Sequence, residues 1–278
     1  MAIDPTDLQA LIDAVRLLES PGLAVQIAEI IGKPIEYGVS HLPDAVVRRI
    51  GDTTNAALRI ALRTAIATMN GECGVAPSQI THKLLATLSG AVGGAFGLPA
   101  LAVELPVSTT IILRSIADIA RGQGENIRDV DTQLACVEVF ALGGDSAGEG
   151  VADAGYYATR AALAHAVANA AQYIAQKGLV EENAPVIVRL ITKIAARFSG
   201  PVLDKFVAQS IPVVGAAGGA AVNLVFINHF QDMARGHFTI RRLERKYGEE
   251  VVRQEYENSQ RAILPRSIPT TSPKAELE

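Results

Sequence analysis

Apolar residues recur three and four positions apart along most of the chain, the spacing of a single helical face. Leu8, Leu11, Ile12, Val15 and Leu18 mark a first helix; Asp4 or Thr6 can cap it and Pro5 suits its first turn. Ser20-Pro-Gly22 ends that helix, a second covers 23–31, and Gly32-Lys-Pro34 stops it. A short turn of helix over 44–50 precedes a clear helix over 52–69 with Leu58, Leu62, Ala65, Ile66 and Met69 on its buried face. Further helices are predicted from Ser78, over 107–120 with Pro106 at the start, and from Asp129 or Asp131 through Leu142. Others follow over 152–177, over 185–198 with a break at Ser199-Gly-Pro201, and from about 206 into the C-terminal region. No segment alternates with the period of a half-buried strand. The expected fold is all-α, with roughly ten helices in one domain over 1–262. A Pro/Ser/Thr-rich tail over 263–278 is expected to be disordered.

Two stretches stand out. Residues 84–122 contain Gly90-Ala-Val-Gly-Gly-Ala-Phe96 and close on Asp118-Ile-Ala-Arg-Gly122; residues 207–236 contain Gly215-Ala-Ala-Gly-Gly-Ala-Ala221 and close on Asp232-Met-Ala-Arg-Gly236. In both, a small-residue run leads into an apolar helix. The uncharged part over 84–103 is about as long as the roughly 20 residues needed to span a bilayer. Its Gly and Ala content and the interruptions at Pro99 and Pro106 favour a hairpin packed through small residues inside the protein. A re-entrant hairpin at a membrane is the competing reading.

Composition narrows the classes. Hydrophobic residues make up 49% of the chain, Trp is absent, and mean hydropathy is +0.24 with a formal charge of −4. That combination implies a large buried helical core or contact with a membrane, and the acidic balance argues against nucleic acid as a partner. Cys73 and Cys136 are far apart with no CxxC, which fits a reducing compartment. The acidic start Met-Ala-Ile-Asp-Pro-Thr-Asp lacks a basic n-region and apolar h-region, so a cytoplasmic location is expected.

The candidate chemistry lies on the ends of the paired stretches. Arg114, Asp118 and Arg121 fall at i, i+4 and i+7, and Asn228, Asp232 and Arg235 repeat that spacing, with His229 and His237 close by. In a structural reading the two helices face each other as a buried polar cluster, Asp118 pairing with Arg235 and Asp232 with Arg121 or Arg114. In an enzymatic reading Asp118, His229 and Asp232 serve a hydrolase or a metal-dependent reaction, with Glu104, His237 and Ser115 or Ser146 as further participants. HExxH and Gly-x-Ser-x-Gly are missing, and no Walker lysine follows Gly143-Gly-Asp-Ser146, so no metal or cofactor is expected. Arg189, Lys193 and Arg197 repeat every four residues beside an apolar stripe, and Arg59 and Arg63 form a shorter pair. Such faces are either simply solvated or contact anionic lipid headgroups.

Several long segments resemble the EcsC family of bacterial proteins. They are Leu105-Pro-Val-Ser-Thr-Thr-Ile-Ile-Leu-Arg-Ser-Ile-Ala-Asp-Ile-Ala-Arg121, Cys136-Val-Glu-Val-Phe-Ala-Leu-Gly-Gly144, Gly155-Tyr-Tyr157 with Arg160, and Asn228-His-Phe-Gln-Asp-Met-Ala-Arg-Gly-His-Phe238 continuing to Arg241-Arg-Leu-Glu-Arg-Lys-Tyr-Gly248. The resemblance implies a bacterial protein, cytoplasmic or associated with the membrane, and supplies no catalytic set. The expected function is that of a non-enzymatic helical protein at the cytoplasmic face. It would bind lipid or another apolar ligand between the Gly-rich helices, or dock on an anionic membrane surface or a membrane protein.

Overall fold

Asp4 opens the first helix as the pattern predicts: its side chain accepts from the Thr6 backbone N–H at 2.9 Å, and Pro5 fills the first turn. The computed structural model of the chain describes residues 3–31, 36–69, 98–143, 155–177, 184–210 and 215–263. The helices over these residues are α1 (Pro5–Leu18), α2 (Leu23–Ile31), α3 (Glu36–Ser40), α4 (Asp44–Met69) and α5 (Leu98–Gly122). They continue with α6 (Val130–Leu142), α7 (Tyr156–Lys177), α8 (Pro185–Ser210), α9 (Gly215–Tyr247) and α10 (Glu249–Ile263). No strand occurs among the described residues, and the fold is all-α. The expected helix from Ser78, the first Gly-rich run and Cys73 lie outside them, as does the predicted tail beyond Ile263.

Four predicted breaks are not breaks. α4 is continuous across Ile50 and Gly51, α5 contains Pro106, α8 contains Pro201, and α9 runs through Gly236. A proline inside a helix removes one donor and crowds the carbonyl four residues back, yet packing on both sides of the site can hold the helix together. Leu101 and Leu105 before Pro106, and Phe198 and Val202 around Pro201, are all in the core. Gly236 has a different reason to be small. A methyl group there would lie 2.5 Å from Leu18 Cγ and 3.2 Å from the Ala14 carbonyl oxygen, because α1 crosses α9 at this point. The true ends fall at Gly124 and Gly248, whose φ values of 79° and 91° suit only glycine readily.

α6 is the axis of the assembly. Residues 132–141 are all buried, so the helix has no wet face, and it packs against α4, α5, α7, α8 and α9. Phe140 projects into a group of rings with Phe198 of α8 and Phe226 and Phe230 of α9, at centroid separations from 4.8 to 6.0 Å. Cys136, also on α6, is buried and unpaired. α9 has 33 residues and is therefore about 50 Å long. Its C-terminal half is clasped by α1 and α10 around a second apolar cluster of Leu11, Val15, Ile240, Leu243, Val252 and Tyr256.

Candidate functional site

The basic run over 241–247 is consumed inside the molecule. Arg242 and Lys246 donate to Asp7 of α1 at 2.9 and 2.7 Å, and Tyr247 adds its hydroxyl at 2.9 Å. These donors, Lys246 foremost, hold the Asp7 carboxyl well below the usual carboxylate range. Arg241 and Arg245 both reach Glu125 in the turn after α5. Burial works to raise Glu125, but the two guanidiniums outweigh it and leave its carboxyl below the ordinary value. Glu244, on the same turn of α9, accepts both arms of Arg160 from α7, with the Tyr157 hydroxyl at 3.1 Å. The segment thus fixes α9 to α1, α5 and α7, and most of its positive charge is matched by acid.

Behind this belt lies a cleft of about 730 Å³ bounded by α6, α7, α9 and α10. One wall is a row of small side chains on α7, Ala158, Ala161, Ala164 and Ala168, all exposed. Their spacing of three and four residues places them on one helical face. Glu138 of α6, Arg160 of α7 and Arg241 of α9 are among the polar lining of the cleft. Tyr156, Tyr157 and Tyr256 pack against one another at 5.1 to 5.5 Å, and Arg160 lies over the first two rings at 5.3 and 5.6 Å. The Tyr256 hydroxyl donates to Glu19 at 2.6 Å.

Glu138 is the anomaly of the cleft. It is only 7% exposed, yet its carboxyl makes no hydrogen bond or ion pair with any described residue. Burial pushes it up to about 7, although Arg160 and Arg241 act in the opposite direction. Next to it, Tyr156 shares a 2.9 Å hydrogen bond with Nδ1 of His237, and both side chains are buried. Nε2 of His237 has no partner among the described residues, and burial holds the ring well below its ordinary value, so it is neutral.

The residues singled out from the sequence lie elsewhere, and as a set they are not buried. Arg114 is exposed; Asp118 accepts from Arg121 at 3.4 Å along its own helix, where the two side chains are 19% and 50% exposed. Asp232 accepts from Arg235 one turn along α9, each 37% exposed. Asn228 is partly buried, and its side-chain oxygen has no partner among the described residues. His229 is in the core: Nε2 donates to the Gly143 carbonyl at 2.8 Å, and Nδ1 faces the Gln26 amide at 3.3 Å. The approach is close enough that a methyl on Gly143 would meet Nε2 at 2.8 Å. Glu104 pairs instead with Lys205 of α8 at 2.6 Å, both buried, and Lys205 also sits 4.9 Å from the Phe226 ring centre. Ser115 is buried and accepts from Gln231 at 2.6 Å, while Ser146 lies outside the described residues. No group of three His, Cys, Asp or Glu side chains suited to a metal occurs among the described residues.

On the basic face of α8, Arg189 is exposed, Lys193 donates to the Ala162 carbonyl at 3.2 Å, and Arg197 donates to the Thr159 hydroxyl at 3.1 Å. Two of the three cations therefore tie α8 to α7. Among the described residues no helix is long and apolar enough to cross a membrane. Sequence reasoning missed Glu138, Glu244 and Lys205. Glu138 did carry a signal, as a carboxylate between Val137 and Val139 within the otherwise apolar run over 134–142.

No curated protein and no solved structure matches the chain. The EcsC protein family matches residues 26–243, which include α6, α7 and most of α9 and so Glu138, Arg160 and Arg241 of the cleft. With that match running from α2 to the last turns of α9, the chain belongs to the EcsC family.

Proposed function

We propose that this EcsC-family chain is a binding protein for a small amphipathic molecule, and that the cleft between α6, α7, α9 and α10 is its site. The observation that carries the reading is Glu138. A carboxyl so deeply buried, with no hydrogen-bond partner among the described residues, is costly to the fold. Here it lines a cleft of about 730 Å³ that also carries an exposed row of alanines on α7. That volume lies in the range of small-molecule sites, and an apolar wall with a few convergent polar groups is their usual chemistry. A hydrocarbon segment would lie along Ala158, Ala161, Ala164 and Ala168, with a polar head at Glu138. Binding without turnover is favoured because Ser115 and His229 are each bonded to other partners in the core. The test is native mass spectrometry and calorimetry on protein purified without detergent. Retained small amphiphiles, displaced by Ala164→Glu in the wall, support the site; unchanged retention in that variant removes it.

A second reading, peripheral contact with an anionic bilayer at the cytoplasmic face, is favoured by one face of α5. Val103 and Val107 are 72% and 48% exposed one turn apart, and Arg114 and Arg121 continue the same face. Apolar tips followed by cations suit shallow insertion beside anionic headgroups. Cosedimentation with phosphatidylglycerol vesicles, lost in Val103→Asp/Val107→Asp, is the expected result; no binding by the parent protein ends this reading.

A further inference from the structure

The charges of the cleft point to the kind of head group it takes. Its three guanidiniums are already matched: Arg160 by Glu244 at 2.6 Å, Arg241 by Glu125 at 3.0 Å and Arg253 by Glu257 at 3.3 Å. The carboxylates are not all matched. Asp131 and Glu249 line the cleft, are exposed, and make no ion pair with a described residue, and Glu138 has no partner either. An anionic head would have to compete with a carboxylate at any guanidinium it approached and would then sit beside Glu138. A neutral hydroxyl head offers one donor and no charge. An ammonium brings three donors and the complementary charge, and the surplus of acid raises its local concentration.

We propose that the cleft recognises a protonated alkylamine, its ammonium donating to the Glu138 carboxylate and its chain lying on the Ala158, Ala161, Ala164 and Ala168 row of α7. The proposal rests on the reading of the cleft as a ligand site. The groups around Glu138 set the proton balance. Arg160 on α7 and Arg241 on α9 favour its carboxylate, Glu244 on α9 opposes it, and burial opposes it most. An ammonium arriving at a protonated Glu138 therefore releases that proton to the buffer as the ion pair forms.

Calorimetry with octylamine, octan-1-ol and octanoate at neutral pH separates the possibilities. Octylamine is expected to bind about tenfold or more tighter than octan-1-ol, the scale of one charge-assisted hydrogen bond, and octanoate not to bind. In Glu138→Gln, octylamine should lose its advantage over octan-1-ol, while a cooperative urea transition shows that the variant is folded. Octylamine binding measured in phosphate and in Tris should differ in heat by the released proton, and this difference should vanish in Glu138→Gln. If octan-1-ol or octanoate binds as tightly as octylamine, the head-group assignment is overturned while the cleft remains a ligand site. If none of the three binds, the cleft reading itself fails and takes the proposal with it.

Discussion

Arg160 on α7 and Glu244 on α9 form a two-armed ion pair, Nη1 to Oε1 at 2.6 Å and Nη2 to Oε2 at 3.1 Å, across 84 residues of sequence. Both side chains are largely buried, at 20% and 11% exposed. Glu244→Ala leaves that guanidinium and the Tyr157 hydroxyl without their acceptor, and should cost about 3 kcal/mol in urea unfolding. Arg160→Met/Glu244→Leu removes both charges and should recover most of the loss. A double variant as unstable as the single one would show that the pair contributes more than mutual neutralisation.

Glu138 gives stability a pH dependence of known sign. A carboxyl raised in the fold from its ordinary 4.5 to about 7 contributes stability below pH 4.5 that is lost as pH rises through 7. Neutral His237 works the other way, since acidification below about 6.5 charges the unfolded chain first. The comparison of Glu138→Gln with the parent isolates the carboxyl. The variant should match the parent near pH 4.5 and exceed it at pH 8 by roughly 1–3 kcal/mol. Equal stability at both values would mean that the carboxylate is solvated.

Lys205 and Glu104 are a buried pair, with side chains 0% and 5% exposed. Lys205→Met strands the carboxylate and should cost about 3–5 kcal/mol, read as a lower urea midpoint. Adding Glu104→Leu should return much of it.

Gly236 is where α1 rests on α9. Gly236→Val forces Leu18 and the Ala14 backbone away and should destabilise by about 1–3 kcal/mol. Hydrogen exchange should show the effect first as faster exchange over 5–18, before the rest of the chain responds.

Asp232→Ala tests the polar stripe. The Asp232–Arg235 pair is one turn long, and both side chains are more than a third exposed. Its removal should change stability by about 0.5 kcal/mol or less, and a drop of several kcal/mol would mean that Asp232 holds a partner in the core.

Helical periodicity, the Asp4 cap and the absence of strand alternation were enough to establish an all-α chain, because each is a local property of a few neighbouring residues. The long idiosyncratic segments around 105–121 and 228–248 were enough for the family. Local rules misplaced the breaks. Pro106, Pro201 and Gly236 read as helix ends, but long-range packing holds the helices through them, and at Gly236 the small residue serves another helix. The matched spacing of Arg114, Asp118 and Arg121 with Asn228, Asp232 and Arg235 placed each triad on one face, but not whether that face is wet. Burial is a property of what packs opposite, and only the tertiary structure supplies it. The same holds for the cleft. Glu138, Arg160, Arg241 and the alanines of α7 come from three helices, and no spacing along the chain brings them together. That was decided by α6 running through the middle of the bundle and carrying the buried Glu138 carboxyl to the cleft that α7, α9 and α10 leave beside it.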